Sequence, residues 1–412
     1  MRGGHTTWLT LIILTAAAAS TAAQEGPLDY PQWRGANRDG AAAEFSEPAV
    51  WPSQLTQHYR VEVGLGYATP ILVGDRVYTF SRQDTDEVLM ALDAASGEVI
   101  WRTGYTAPYT DNPGTGRHGP GPKSTPLFHD DKLYTLGISG VVSAFDAGTG
   151  ALLWQKPAPA VEPLYGTAFS PVADAGRVIF HVGGQNDGAL TAFDANSGDV
   201  VWSWNGDGPA YASPMVATLD GVRQIVSVTQ EHVVGVAADN GELLWERPFV
   251  SRSNNNAVTP ILDGDAIIVT GQNLGVTRFR PTRQNGQWTT ETIWESSEVS
   301  MFMSNPVLAG GTLFGLSHLN SGQFFALDAG DGTTLWRTEG REATNSAIVM
   351  AGDLLFLLNN DGDLIVARTN QTGFTQVTRY EVSDSATWAQ PTISGNRLFI
   401  RDESNVTLWT VD

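Results

Sequence analysis

The side chains best suited to chemistry in this sequence are aromatic and amide groups that stand just before a series of recurring apolar segments. Each segment follows a short marker, such as Thr69-Pro70 or Thr125-Pro126, and the markers recur with a period of ~40–50 residues. If the connections before the markers reach one face, these side chains form a concave site for a flat organic ligand, a sugar or an extended peptide. The candidates are Tyr67, His118, Lys123, Tyr165, Tyr211, Asn254, Asn256, Phe302, Asn345 and Trp388.

The sequence contains no familiar arrangement of nucleophile, base or metal ligands. Its seven His residues are scattered and never take the spacing of metal ligands. There is no Gly-x-Ser-x-Gly elbow and no phosphate-cradling Gly loop before a helix. Asp361-Gly362-Asp363 and residues 185–188 resemble pieces of calcium loops, but both fall where a hairpin turn is due. We therefore predict no catalytic residue and no metal site.

The element that must position the candidate side chains is a repeated Asp–Gly–Trp frame, in which Gly lies four positions after Asp and Trp four positions after Gly. The Asp can accept backbone N–H bonds in a turn, the Gly can take a positive φ, and the Trp can be buried between neighbouring units. We assign these residues a structural role for that reason. They are Asp93, Gly97 and Trp101; Asp146, Gly150 and Trp154; Asp194, Gly198 and Trp202; Gly241 and Trp245; and Asp328, Gly332 and Trp336.

The markers define eight units, and each unit offers four short strands. Pairs such as Gly74-Asp75 and Asp220-Gly221 are typical of hairpin turns. Four strands in a unit of ~40–50 residues are typical of a β-propeller blade. The sequence therefore predicts an all-β, eight-bladed β-propeller with four-stranded blades.

The last unit ends at Asp412, before its fourth strand. Residues 57–63 precede the first marker just as the other fourth strands precede theirs. We predict that this segment pairs with the last blade, closes the ring, removes the exposed sheet edges and puts Tyr59 in the place of the missing Trp. Residues 57–412 are thus expected to form one propeller.

Residues 24–56 carry no repeat and are expected to form an arm that docks on the propeller. A less favoured interpretation of the arm has Arg34 and Arg38 facing a ligand. The longest connection, residues 102–124, is rich in Pro and Gly and is a candidate lid over the connector face. An alternative for that face is that its side chains simply fill the channel.

Residues 1–23 have the pattern of a secretory signal peptide. Arg2 precedes an apolar run from Trp8 to Ala19, which is short for a bilayer span, and small residues lead to a cleavage site after Ala23. An uncleaved anchor helix is the alternative. We expect a periplasmic or secreted protein that has no stable membrane insertion after cleavage.

The composition excludes several classes of site and partner. The chain contains no Cys, which rules out disulfides, thiolate metal sites and the anchor Cys of a lipoprotein. Its formal net charge of −20 would repel nucleic acid and anionic membranes. Solubility outside the cell is the simplest interpretation of the acidity.

The Asp–Gly–Trp frame resembles the repeat of the pyrroloquinoline quinone (PQQ)-type eight-bladed propellers. Residues 31–40, 118–126 and 221–226 are similar to an exported bacterial group called PQQ-binding-like or BamB-like propeller proteins. The resemblance covers nearly the whole mature chain and implies the propeller fold. It implies two different functions, because one branch of these proteins is enzymatic and another is a scaffold.

The enzymatic branch, the quinoprotein dehydrogenases, binds PQQ and Ca²⁺ and uses an Asp as base. The connections in this sequence show no acidic cluster, and Lys123 is the only Lys at the ring position before a marker. BamB is a non-enzymatic scaffold for protein partners. We therefore expect a binding or protein-interaction scaffold without a cofactor, with envelope proteins or a small ligand at the channel mouth as partners. A PQQ- and calcium-dependent dehydrogenase and a carbohydrate- or peptide-binding protein are the alternatives.

Overall fold

The computed structural model describes Met1 and residues 29–412, except Ala43, Asp111, Arg117, Glu162 and Ser253. The segment expected to be a signal peptide lies outside the described residues, apart from Met1. The rest of the chain forms eight antiparallel sheets of four strands each, which confirms the all-β, eight-bladed propeller. Two short 3₁₀ helices, Pro113–Thr115 and Leu319–Ser321, are the helical elements of the described chain.

Seven blades each consist of four consecutive strands. The first strand of each blade is innermost, because it approaches the first strands of neighbouring blades. The strands are β2 (Ile71–Val73), β3 (Arg76–Gln83), β4 (Asp86–Asp93) and β5 (Val99–Thr106) in blade 1; β6 (Leu127–His129), β7 (Lys132–Leu136), β8 (Val142–Asp146) and β9 (Leu152–Lys156) in blade 2; β10 (Val172–Asp174), β11 (Arg177–Gly184), β12 (Asp187–Asp194) and β13 (Val200–Trp204) in blade 3; β14 (Met215–Leu219), β15 (Val222–Val228), β16 (His232–Ala237) and β17 (Leu243–Pro248) in blade 4; β18 (Ile261–Asp263), β19 (Ala266–Gly271), β20 (Gly275–Gln284) and β21 (Gln287–Ser296) in blade 5; β22 (Val307–Ala309), β23 (Thr312–Ser317), β24 (Gln323–Asp328) and β25 (Thr334–Arg337) in blade 6; and β26 (Ser346–Ala351), β27 (Leu354–Asn359), β28 (Asp363–Arg368) and β29 (Gln376–Glu381) in blade 7.

The eighth blade joins the two ends of the chain. It combines β30 (Thr392–Ser394), β31 (Arg397–Arg401) and β32 (Asn405–Thr410) with β1 (Thr56–Glu62) as its outer strand. β1 runs antiparallel to β32, with a bulge between Gln57 and Tyr59. The expected closure of the ring is confirmed, and the closing strand begins one residue before the predicted segment.

The frame Trp residues fill the spaces between blades. The Nε1 of Trp101 donates to the carbonyl oxygen of Ala147 in the next blade, at 3.1 Å. The Trp101 ring lies so close to Gly150 that a Cβ there would be 2.5 Å from a ring atom. Gly150 also has a φ of 74°, so the turn and the indole both require glycine. The same Trp-to-carbonyl bond to the next blade is made by Trp154 to Ala195, Trp202 to Ala238 and Trp294 to Ala329.

Tyr59 occupies the corresponding position where the ring closes. Its ring carbons lie 2.8 Å from the place that a Cβ on Gly97 would take. Its hydroxyl donates to the carbonyl oxygen of Ala94 at 3.3 Å. The phenol therefore packs on the frame glycine of blade 1 as the indoles do elsewhere.

The polar residues of the markers join neighbouring blades around the channel. The backbone N–H of Thr125 donates to Oγ of Ser170 at 3.0 Å, and that of Ser170 donates to Oγ of Ser213 at 2.9 Å. The N–H of Gln390 in the last blade donates to Oγ1 of Thr69 in the first, at 3.2 Å. These bonds explain why the markers carry hydroxyl side chains, since each of these three hydroxyls accepts a backbone N–H from a neighbouring blade.

No helix in the described part of the chain is long and apolar enough to cross a membrane.

Candidate functional site

The connections that lead from the outer strand of one blade to the inner strand of the next surround a cavity of about 400 Å³. We call this cavity the funnel. Eight of the ten predicted side chains line it: Tyr67, His118, Lys123, Tyr165, Tyr211, Phe302, Asn345 and Trp388. The remaining lining residues are Trp33, Gly114, Thr115, Ala168, Ser213, Asn255, Ala257, Met303 and Asn305.

The other two predicted residues, Asn254 and Asn256, lie outside the funnel. Asn254 faces a small adjoining cleft that it shares with Tyr211. Asn256 is buried, and its Nδ2 donates to the carbonyl oxygens of Thr229, Gln230 and Phe249. The residue between them, Asn255, lines the funnel instead. The spacing from the marker placed this connection correctly but did not fix which of the three amides faces inward.

Aromatic rings form most of the funnel wall and brace one another. The rings of Tyr165 and Tyr211 are 5.9 Å apart, and the hydroxyl of Tyr211 accepts from the N–H of Tyr165 at 3.2 Å. His118 packs edge-on against Trp388, with ring centres 4.3 Å apart. Lys123 donates through Nζ to the carbonyl oxygen of Tyr165 at 2.9 Å. The wall is thus preorganised, since its rings are held by packing and by hydrogen bonds.

The phenols of Tyr67 and Tyr211 in the wall stay neutral at physiological pH. Burial raises the pKa of Tyr67 to about 12, and nearby Glu403 adds to the rise. Burial also raises the pKa of Tyr211 well above its usual range. The tyrosines therefore offer apolar faces and neutral hydroxyls rather than nucleophilic phenolates.

The long connection expected to act as a lid contributes part of the wall. Its 3₁₀ helix, Pro113–Thr115, is capped by Asn112, whose Oδ1 accepts from the N–H of Gly114. Gly114, Thr115, His118 and Lys123 all line the funnel. The connection thus borders the opening on the side of blades 1 and 2.

The N-terminal arm crosses the channel beneath the funnel. Tyr30 pairs with Leu72 in the inner strand of blade 1, and Ala41 pairs with Met350 in the inner strand of blade 7. Between these points the N–H of Phe128 in blade 2 donates to the carbonyl oxygen of Pro31 at 2.9 Å. The arm therefore closes the channel, a role that the sequence did not reveal.

Side chains of the arm reach the markers that begin the inner strands. Nε1 of Trp33 donates to Oγ1 of Thr259 at 3.0 Å. Arg34 donates through Nη2 to the carbonyl oxygen of Pro306 at 2.7 Å. Arg38 donates to the carbonyl oxygens of Ser170, Pro171 and Pro214 at 3.1, 2.9 and 3.0 Å. The two guanidinium groups thus bind the propeller's own backbone, whereas the less favoured interpretation had them facing a ligand.

Among the described residues that line the funnel, Trp33 is the aromatic one that sequence reasoning missed. It lies far from any marker, so the repeat gave no reason to place it among the connector side chains. A usable signal was the density of Trp33, Arg34 and Arg38 in one short segment, because such large side chains need partners inside the fold. Trp33 lines the funnel from the arm, and we refer to it as the floor of the funnel.

None of the described residues that line the funnel is an Asp or a Glu. In the described part of the chain, no group of three or more His, Asp or Glu residues is placed to hold a metal ion. The two segments that resemble calcium loops lie in the turns between β11 and β12 and between β27 and β28. The funnel is therefore equipped for binding through aromatic faces, amides and Lys123.

Comparison with known proteins points to one family. The sequence model described as outer membrane protein assembly factor BamB matches residues 84–338 and 322–412. The assembly factor BamB of Shewanella oneidensis is 24% identical over 319 residues, which cover 76% of this chain and 77% of that protein. The quinoprotein alcohol dehydrogenase PedH of Pseudomonas putida is 32% identical over 141 residues, which cover 32% of this chain and 23% of that enzyme.

A solved structure shows the same architecture. The crystal structure of BamB from Moraxella catarrhalis superposes with a TM-score of 0.62 at 17% identity. The match covers 86% of this chain and 99% of that one. At this level of identity the likeness concerns the fold.

Proposed function

The chain belongs to the family described as outer membrane protein assembly factor BamB, and we propose that it is an exported, non-enzymatic scaffold that binds a protein partner at the funnel. Several of its relatives are outer membrane protein assembly factors. We extend that setting to this chain as part of the proposal. The cell envelope is the proposed location, in agreement with the signal-like segment at residues 1–23.

The observation that carries the proposal is the funnel itself. It is a cavity of about 400 Å³ whose wall is built mainly from braced aromatic rings. Aromatic side chains in a concave, largely desolvated position are the usual anchors of protein interfaces. The arm beneath closes the channel, so the funnel can accept a protruding loop or side chain but offers no passage.

A capture experiment tests the proposal. The protein is displayed on beads and exposed to an envelope extract, alongside Trp388→Ala and the matched control Leu153→Ala. Leu153 is an exposed apolar residue on β9, 46% accessible and outside the funnel. We expect the control to retain any specific partner and the Trp388 variant to lose most of it. Equal retention by both variants would contradict the proposal.

A PQQ-dependent dehydrogenase is the second candidate function, favoured by the partial similarity to PedH. In the funnel, Lys123 is suited to a carboxylate of such a cofactor. The described lining contains no carboxylate to hold the accompanying calcium ion. Titration of the protein with PQQ and Ca²⁺, followed by a dye-linked alcohol oxidation assay, distinguishes the candidates. Tight binding with turnover would favour the enzyme.

A further inference from the structure

The two arginines of the arm carry positive charge in the same segment as Trp33, which lines the funnel. Arg34 and Arg38 are only 2% and 4% exposed. Burial lowers the pKa of Arg34 to about 10 and that of Arg38 to about 9. Both values stay above neutral pH, so both groups remain protonated.

Neither guanidinium forms an ion pair with a carboxylate among the described residues, and the acidic group that acts on Arg34 from a longer distance is Asp39. Arg38 donates to backbone carbonyl oxygens and to Oε1 of Gln32. Arg34 donates to the carbonyl oxygens of Arg38, Asp39 and Pro306. Its buried Nη1 makes no hydrogen bond within the described structure. Carbonyl dipoles partly solvate these cations but leave their net charge in place.

The acceptors of these bonds adjoin the funnel wall in sequence. Ser170 lies two positions after the lining residue Ala168. Pro214 directly follows the lining residue Ser213, and Pro306 directly follows the lining residue Asn305. The acidic groups that act on the wall near Tyr67 are Glu403 and Asp402. Asp402 is paired with Arg60 at 2.8 Å, and Arg401 opposes the effect of both on Tyr67. The region around Trp33 therefore carries positive charge from Arg34 and Arg38, although the net charge of the chain is −20.

We infer that the funnel selects a carboxylate-bearing segment of the partner polypeptide, which seats an Asp or Glu side chain against the floor at Trp33 and an aromatic or aliphatic neighbour against the wall. This inference rests on the proposed function and names the chemistry of its partner. The arm then has two roles, because it closes the channel and supplies the charge that chooses the ligand. Because the charge of these arginines lies in a concave site of low dielectric constant, it acts chiefly on which partner segments bind.

Three synthetic nonapeptides test the inference on the unaltered protein. All carry one central Phe, which is flanked by two Asp, two Asn or two Lys residues, and binding is measured by calorimetry in low salt. We expect the Asp peptide to bind about tenfold more tightly than the Asn peptide, or about 1.4 kcal/mol, and the Lys peptide to bind most weakly. The overall charge of the protein would produce the opposite ranking, so this order reports the positive groups at the funnel, which are Lys123 of the wall and the two arginines of the arm.

Two variants locate the effect. Arg38→Met removes one of these charges at similar length and should reduce the preference for the Asp peptide over the Asn peptide, whereas Arg38→Lys should preserve it. If Arg38→Met does not fold, the order of the three peptide affinities on the unaltered protein still tests whether the funnel prefers a carboxylate. Tighter binding of the Lys peptide, equal binding of the Asp and Asn peptides, or no binding of any peptide would overturn the inference.

The source of the carboxylate and the proposed function are tested separately. Benzoate, a small aromatic carboxylate, should compete only weakly with the Asp peptide. Displacement by benzoate at peptide-like concentrations would overturn the assignment to a polypeptide. If Trp388→Ala still abolishes partner capture while the peptides show no acidic preference, the scaffold function stands and the charge selection fails.

Discussion

The indole Nε1 of Trp33 donates to Oγ1 of Thr259 at 3.0 Å, across 226 positions of the sequence, and thereby ties the N-terminal arm to the fifth blade. The bond fixes the aromatic floor relative to the wall that the connections build. Thr259 also donates its backbone N–H to Oδ1 of Asn305 at 2.8 Å, so the contact belongs to the chain of bonds between markers. Floor and wall are therefore positioned by the same residues.

The Trp33–Thr259 bond should be measurable as a coupling energy. Trp33→Phe and Thr259→Val each remove one partner and should each destabilise the protein by about 1 kcal/mol. The double variant should cost about 1 kcal/mol less than the sum, because the bond is lost only once. Urea denaturation measures all three, with Thr259→Ser as a control that keeps the hydroxyl. Strict additivity would show that the bond contributes nothing.

The frame glycines should differ sharply from other turn glycines. Gly150 and Gly176 have nearly the same φ, 74° and 75°. A Cβ on Gly176 would meet nothing within 4 Å, whereas one on Gly150 would lie 2.5 Å from the Trp101 ring. We expect Gly176→Ala to cost about 1 kcal/mol through backbone strain alone. Gly150→Ala should cost roughly 2–4 kcal/mol because overpacking is added. Equal losses in thermal or chemical denaturation would show that the indole contact is not tight.

The seam that closes the ring should depend on the Tyr59 ring far more than on its hydroxyl. Tyr59→Phe keeps the packing on Gly97 and removes a long hydrogen bond, so it should cost less than about 1 kcal/mol. Tyr59→Ala empties the space between blades 8 and 1 and should cost about 3 kcal/mol. Chemical denaturation of both variants measures the difference. A mild Tyr59→Ala phenotype would mean that β1 holds the ring through backbone pairing alone.

Much of this architecture follows from the sequence, because each blade repeats a similar arrangement of marker, strands and turns. The Asp–Gly–Trp frame and the markers recur, so their period predicted eight blades, and the missing strand after Asp412 predicted the pairing of β1. The wall of the funnel followed from the same register, since Tyr67, Tyr211 and Trp388 occupy equivalent positions before their markers. Asn254 and Asn256 were misplaced because one residue of register decides which amide faces inward.

The floor of the funnel could not be predicted in this way. Trp33 and Arg38 belong to a segment that occurs once, so no internal comparison shows where it lies. Their partners, Thr259 and Pro214, are distant in sequence. A backbone carbonyl that accepts a hydrogen bond from a guanidinium can belong to any residue, so the sequence does not identify it. The arm's path through the channel is a tertiary property that the period of the repeat does not contain.

Acid should weaken the fold through His181. Burial lowers the pKa of His181 to about 4, and the ring Nε2 lies 3.1 Å from the carbonyl oxygen of Asp207. Between pH 6.5 and 4 the unfolded chain binds a proton that the folded state refuses, so stability falls as the pH is lowered through this window. The full effect is roughly 3 kcal/mol.

Stability curves at several pH values check this effect. His181→Phe should show a shallower loss of stability between pH 6.5 and 4 than the unaltered protein, whatever its stability at neutral pH. An unchanged slope in the His181 variant would mean that other groups govern the acid sensitivity.

Site-specific photo-crosslinking in intact cells is the most direct test of whether the partner binds at the funnel. A photoreactive phenylalanine analogue replaces Phe302 in the funnel wall or, as the control, Leu153 on the outer strand of blade 2. We expect a discrete crosslinked polypeptide from position 302 that disappears in the Trp388→Ala background, and none from position 153. Crosslinking from position 153 but not from 302 would contradict binding at the funnel.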